Sequence, residues 1–378
     1  MTMDHIIIAG NGVAGLTAGD TLRRLGFEGE LTVIGEEHHA TYSRPALSKA
    51  ALAPGDELAV NFLPDATHGG TELLGRCTTG LDPEKRTVTL DDGTELSYDG
   101  LVIATGTHAR RFTGSAREFT LRSLDDAVQL RKRLESRPRV TVIGGGPLGM
   151  EVASGAIGLG CAVTLVHPGT PMLPHIGPLL AGVLTEAALE HGLTLVDDFV
   201  AEVRETAEGM AVTLASGAEL SSDVVISAAG DIPNDGWLRD SGLLVDGRLV
   251  TDGRCRVRDN IVAAGDVAWL DGADGPRRSP VWTSAIEQAK TAAAALLTGD
   301  EAESLSFQSY FWTDQWGMNL KISGPIPHGD EQPVVVKGDL AERSAVLHWP
   351  GQGSAAALNI RMPIPRLHKL AQSEPASV

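Results

Sequence analysis

Two glycine-rich hexapeptides carry the plainest chemical signal in this chain. They are Gly10-Asn11-Gly12-Val13-Ala14-Gly15 and Gly144-Gly145-Gly146-Pro147-Leu148-Gly149. Glycine at these spacings lets the backbone turn tightly and approach a pyrophosphate. A helix starting there offers N–H donors and the positive end of its dipole. One such loop is weak evidence, because the turn also occurs without a ligand. Two in one chain suggest two bound dinucleotides, and hence electron transfer between them. Carboxylates extend the pattern. Glu36 closes the run Leu31-Thr32-Val33-Ile34-Gly35-Glu36, where an acid can accept hydrogen bonds from ribose hydroxyls, and Glu37 beside it is the alternative. Glu151 stands two residues past Gly149, in a helix start that must pack on a sheet. Its charge should be paired or functional, unless it only complements the helix dipole.

The elements that must hold these residues can be read from the flanking runs. Ile6-Ile7-Ile8 and Val140-Thr141-Val142-Ile143 read as strands, and the small apolar residues behind each glycine loop read as helix. A second repeat supports the first. Residues 89–99 precede the apolar run 101–106, and residues 213–223 precede the run 225–230. Each pair reads as a hairpin with a glycine turn, then a buried strand ending in small residues. Residues 260–268 hold a further buried strand ending in Gly265-Asp266, and a helix is expected over about 283–297. The economical reading is a duplicated, doubly wound α/β architecture. From about Phe307, short strands and Gly/Pro turns suggest a small α+β domain.

At 378 residues the chain has room for two or three domains. The longest apolar stretches fall short of a membrane span, and residues 1–4 carry no cluster of bases, so a cytoplasmic protein is expected. A formal net charge of −18 argues against nucleic acid or an anionic membrane as partner. Cys77, Cys161 and Cys255 are scattered, with no CxxC and no metal-ligand spacing. They read as inert thiols in a reducing compartment, and no metal is expected.

Further short motifs give these features a family. They are Tyr42-Ser43-Arg44-Pro45-Ala46-Leu47-Ser48-Lys49, Ala104-Thr105-Gly106, Glu151-Val152-Ala153, Ala264-Gly265-Asp266 and Phe311-Trp312-Thr313-Asp314-Gln315. Over essentially its whole length the chain resembles the FAD-dependent pyridine nucleotide reductases with the glutathione-reductase-type fold. It is most similar to the oxygenase-coupled ferredoxin reductases, relatives of the rubredoxin reductases and apoptosis-inducing factor. The Arg-Pro-x-Leu-Ser-Lys and Phe-Trp-x-Asp-Gln elements are more specific than the glycine loops and separate this subgroup from the disulfide reductases. Those enzymes need a dithiol beside the flavin, which the three cysteines do not offer by spacing.

The resemblance implies two Rossmann-like domains, one for FAD over 1–109 and 236–305 and one for NAD(P)H over 110–235, with a C-terminal domain over 306–378. It implies FAD contacts at Gly10, Gly12, Val13, Ala14, Gly15, Glu36, Arg44, Lys49, Ala104, Thr105, Gly106, Arg110, Gly265, Asp266, Trp282 and Trp312. For the nicotinamide nucleotide it implies Gly144, Gly146, Pro147, Leu148, Gly149, Glu151, His167 and Gly230. Lys49, paired with Glu151, is the implied catalytic pair near flavin N5, where a cation favours the anionic reduced flavin. Asp266 would bond the ribityl chain, and an ordinary helix N-cap is compatible with that role. Trp282 and Trp312 would border the isoalloxazine, although a lone Trp is by default a core residue.

Two features depart from the family pattern. After the strand Ala162-Val163-Thr164-Leu165-Val166 the expected acid is replaced by His167. A histidine cannot repel a 2′-phosphate, and when protonated it would attract one. Yet no Arg or Lys follows in 168–175, so NADH and NADPH both stay open, as does a solvated-loop role for His167. The acidic balance also sits oddly with a ferredoxin-like iron–sulfur partner. The bases Arg110-Arg111, Arg277-Arg278, Arg361, Arg366 and Lys369 could form a local patch or be solvated loops. The implied function is an NAD(P)H-dependent ferredoxin reductase, monomeric or homodimeric, that feeds a cytochrome P450 or ring-hydroxylating oxygenase. Its rivals are a rubredoxin or nitrite reductase component, a flavoenzyme acting directly on a small molecule, and a redox sensor or interaction protein.

Overall fold

Ile6, Ile7 and Ile8 are all fully buried, which a strand can achieve only when both sheet faces are covered. They belong to the strand His5–Ala9, central in a six-stranded sheet. From one edge the order is Arg256–Arg258, Ile261–Ala263, Gly100–Ile103, His5–Ala9, Glu30–Gly35 and Thr71–Leu74. All neighbours are parallel except the first pair. Ile6 and Ile8 face a core shared with the helices Val13–Arg24 and Trp282–Thr298, through Ala18, Leu22, Ala289 and Ala292. Ile7 faces the other layer, built from the hairpin residues Leu81, Val88 and Leu90. Each isoleucine buried this way contributes on the order of 2 kcal/mol.

This computed structural model describes residues 3–49, 52, 60–329 and 331–374. It divides into two compact units. One comprises Met1–Ser43, Asn61–His108 and Ile232–Phe307; the other comprises Arg44–Val60, Ala109–Asp231 and Gln308–Val378.

The second unit repeats the plan of the first. Its parallel sheet runs Thr194–Val196, Ala162–Val166, Arg139–Ile143, Val224–Ser227, Glu118–Phe119. The helix Pro147–Gly158 follows the central strand as Val13–Arg24 does in the first unit. The hairpins read from the sequence are present as three-stranded antiparallel ribbons. Thr78–Asp82, Thr87–Leu90 and Glu95–Ser97 form one, and Val200–Glu205, Met210–Leu214 and Glu219–Ser222 form the other. The second unit also holds a five-stranded antiparallel sheet, ordered Tyr310–Gln315, Met318–Ser323, Ser354–Leu358, Ser344–Trp349, Val334–Asp339, with the helix Ile364–Ala371 against it. This is the α+β pattern expected of the C-terminal segment. No helix among the described residues is long and apolar enough to cross a membrane.

Candidate active site

The first glycine loop is shaped by backbone contacts that leave no room for side chains. Gly10 has φ +119°, and a Cβ on it would lie 2.1 Å from the Ala104 carbonyl oxygen. A Cβ on Gly15 would lie 1.8 Å from the Gly10 oxygen. Gly12 is different: a Cβ there would meet nothing within 4 Å. Gly12 is the N-cap of the helix Val13–Arg24, with no side-chain cap and no acid in the first turn. The helix therefore keeps bare N–H groups and an uncompensated positive end, which suits a pyrophosphate. The buried Asn11 Nδ2 has no protein partner, while its Oδ1 accepts from Thr41 Oγ1 at 3.0 Å. The residues present thus fit a dinucleotide.

Glu36 is exposed directly after Glu30–Gly35, whereas Tyr42 Oη donates to Glu37 Oε2 at 2.6 Å. Of the two acids, Glu37 is engaged by Tyr42 and Glu36 is the exposed one. Gly265, at φ +82°, brings Ala14 against it, at 3.2 Å from a Cβ built there. Asp266 lies in the turn after Ile261–Ala263 and caps no helix: the next one starts at Trp282 behind the N-cap Val281, so the N-cap reading of Asp266 fails. Trp282 is the first residue of that helix and half-buried. Two residues of this site escaped the sequence reading. Asn234 clamps the Ala104–Gly106 turn: its Nδ2 donates to Thr105 O at 2.9 Å, its N–H donates to Gly106 O at 2.9 Å, and its carbonyl accepts from Thr105 Oγ1 at 2.8 Å. Gln288, fully buried, accepts the Gly265 N–H at 2.9 Å. A glutamine inside an alanine-rich helix was the available signal.

The second loop repeats the geometry. Gly144 has φ +109° and faces the Ala228 oxygen, with 2.3 Å to a built Cβ, and a Cβ on Gly149 would lie 1.9 Å from the Gly144 oxygen. Gly146 caps Pro147–Gly158, again with no side-chain cap and no acid in the first turn. Pro147 at the first helical position loses no hydrogen bond there. Arg110 donates its N–H to Gly230 O at 3.1 Å, at the end of the Val224–Ser227 strand. His167 follows Ala162–Val166 and is held by its N–H on Val196 O at 3.0 Å.

Lys49 and Glu151 meet. Lys49 Nζ donates to Glu151 Oε2 at 2.8 Å and to Pro45 O at 3.1 Å. Glu151 is 4% exposed, and such a charge persists only when its oxygens are satisfied. Ser48 Oγ donates to Oε2 as well, and Thr313 Oγ1 donates to Oε1 at 2.6 Å. Gln315 Nε2 then donates to Thr313 Oγ1 at 2.8 Å, and Trp316 Nε1 donates to Gln315 Oε1 at 2.9 Å. The ammonium of Lys49 also lies 5.8 Å from the centre of the Trp312 ring, which stacks on Tyr310. The motif ending in Lys49 and the Phe-Trp-x-Asp-Gln motif are therefore joined by one carboxylate. Ser48 and Thr313 stand inside these two motifs, yet nothing in the local sequence marks them as partners of Glu151. Arg44, in the same unit, donates from Nη1 to Arg122 O at 2.7 Å.

The thiols are not arranged for redox work. All three are free; burial raises the pKa of each, and for Cys255 burial and then Asp252 push it up to about 12. Among the described residues no group of His, Cys, Asp or Glu is set to hold a metal ion.

Two largely parallel sheets, each ending in a bare glycine cradle, define a double dinucleotide-binding α/β protein. Residues 4–295 match the pyridine nucleotide-disulphide oxidoreductases, and the chain belongs to that family. It is 32% identical over 361 residues to the 3-phenylpropionate/cinnamic acid dioxygenase ferredoxin–NAD(+) reductase component of Photorhabdus laumondii, covering 92% of this chain and 90% of that one. It is 30% identical over 373 residues to a rubredoxin-NAD(+) reductase of Pseudomonas putida, covering 95% and 96%. Among solved structures, the covalent putidaredoxin reductase–putidaredoxin complex matches 97% of this chain and 92% of that one, with a TM-score of 0.83 at 28% identity.

Proposed function

We propose that this protein is an FAD-dependent ferredoxin reductase, taking electrons from a nicotinamide nucleotide and passing them to an iron–sulfur protein that serves an oxygenase. The observation that carries the reading is the pair of dinucleotide cradles in a chain whose thiols are all free and poorly acidic. Electrons brought in by one dinucleotide must then leave by a route other than a disulfide. The relatives support the rest. Their names specify reductase components of dioxygenase systems and NAD(+) as the nicotinamide partner, which favours NADH here. The complex with putidaredoxin favours a carrier protein as acceptor.

In this reading FAD belongs to 1–109 with 236–305, NADH to 110–235, and 306–378 completes the chain. When bound, FAD supplies the exchange between a two-electron donor and one-electron acceptors. The chain's own residues bind and orient. Gly12 and the first turn of Val13–Arg24 hold the FAD pyrophosphate, and Glu36 holds its ribose. Gly146 and the helix behind it do the same for the nucleotide. Ser48 and Thr313 hold Glu151, which in turn accepts from Lys49 and fixes it, so that a cation is presented without having to reorganise during the reaction. Free thiols support a reducing compartment, the cytoplasm, as the place of work.

The test couples NADH oxidation to cytochrome c reduction with and without an added ferredoxin. Reduction that requires the ferredoxin supports the proposal. Carrier-independent turnover of a small molecule contradicts it.

A further inference from the structure

We propose that His167 and His175 together read the adenosine 2′ position at the second cradle, admitting a 2′-phosphorylated nucleotide when protonated and the plain dinucleotide when neutral. The inference rests on the second cradle being a nicotinamide nucleotide site.

Two elements bring the rings to the same glycine loop. His167 directly follows the second strand of its sheet, at the position where dinucleotide folds place a ribose-reading acid. Its ring lies over Gly145, at 2.7 Å from a Cβ built there. His175 comes from the first turn of Leu173–Glu190, and its Nε2 is 3.6 Å from a Cβ built on Gly146. The segment between them is tied to the loop by the Met172 N–H on Gly145 O at 2.8 Å. Residues 168–174 contain no ionisable side chain, so the two imidazoles are the only side chains of the segment 167–175 that can set a positive charge beside a phosphate.

The ionisable groups acting on the pair are His167, which acts on His175, and Asp197, which acts on His167 and whose Oδ1 accepts the Gly169 N–H at 2.7 Å. Burial lowers the basicity of His167, and Asp197 opposes this. His175 keeps an exposed surface, yet desolvation against the loop, and then His167, lower its basicity too. Both are therefore neutral near pH 7 and above, and a plain ribose meets no opposing charge. A 2′-phosphate favours their charged forms, so binding it takes up protons and tightens as pH falls. The gain levels off toward about pH 6, where the phosphate itself is half protonated.

The test is calorimetric titration of the flavin-loaded protein with 2′,5′-ADP and with 5′-AMP. It is run at about pH 8 and about pH 6, in two buffers of different ionisation heat. The affinity for 2′,5′-ADP relative to 5′-AMP should rise about fivefold or more toward the lower pH, with proton uptake for 2′,5′-ADP alone. His175→Asn should shrink that rise, and His167→Asn should remove it. The wild-type pH response stands as a test even where a variant folds poorly. A ratio independent of pH, or a rise that survives both substitutions, overturns the proposal while leaving the nucleotide site intact. Failure of both fragments to bind at either pH overturns the nucleotide site itself.

Discussion

The two glycine cradles agree where the backbone must pack and differ where a ligand would be read. Gly10 and Gly144 share a positive φ, and Gly15 and Gly149 each press a Cα against the carbonyl at the start of their own loop. These contacts are internal to the strand–turn–helix unit, so they are required with or without a ligand. The residue after the second strand is under no such demand. It is Glu36 in one unit and His167 in the other. The strand ends are also secured differently. In the first unit the neutral carboxamide of Asn234 holds Thr105 O, and its backbone N–H holds Gly106 O. In the second, the buried carboxylate of Glu118 accepts from Ser227 Oγ at 2.6 Å and from the N–H groups of Phe112 and Thr113 at 2.7 and 2.6 Å. Duplication kept the steric skeleton, and chemistry diverged around it.

The shared part of the comparison should give the largest effect. Gly15→Ala and Gly149→Ala each force a methyl group into a backbone carbonyl, and each should destabilise its unit by more than about 3 kcal/mol in denaturant unfolding. A mild effect in one and a severe effect in the other would break the equivalence. Lys49→Met removes the cation from a buried carboxylate that keeps Ser48 and Thr313 as donors. It should cost about 2 kcal/mol of stability and slow flavin reduction. Unchanged stability and unchanged reduction would remove Lys49 from the catalytic account. His167→Glu gives the second cradle the acid of the first, and should weaken 2′,5′-ADP binding about tenfold relative to 5′-AMP, read by titration.

The smallest effect concerns pH. Burial alone would raise the Glu118 pKa, but hydrogen bonds from Ser227, Phe112 and Thr113 outweigh it and hold the carboxyl below its ordinary 4.5. The group therefore contributes stability above the unfolded-state pKa and loses it as pH falls through the lower folded value. Glu118→Gln should flatten the acid limb of the stability curve, read by denaturant unfolding as a function of pH. Asn234→Ala should leave that limb's shape unchanged, since an amide does not titrate. An unaltered acid limb in Glu118→Gln would show that Glu118 is not what distinguishes the two strand ends.

Much of this was legible in the sequence because it repeats. The strands, glycine loops, hairpins and the helix over 283–297 follow from periodicity and turn residues, and the duplication makes each reading check the other. Glu151 was marked by its own improbability, an acid where burial was expected. What escaped is long-range and polar. Asn234 lies 129 residues from the Thr105 it clamps, and Thr313 lies 162 residues from Glu151. No local pattern encodes those partners, because they are created when the chain folds. Asp266 was compatible with an N-cap only because the irregular stretch before Trp282 could not be seen as a break between the turn and the helix. His175 gave no signal alone; it gained meaning from the fold that carries it to the loop beside His167.

The most direct test of the account is anaerobic mixing of the purified, flavin-loaded protein with NADH, followed at the flavin absorption band. The account predicts rapid bleaching, with the electrons recovered in an added ferredoxin. A flavin that stays oxidised in excess NADH and NADPH alike would contradict it, leaving the second cradle a structural copy without a donor.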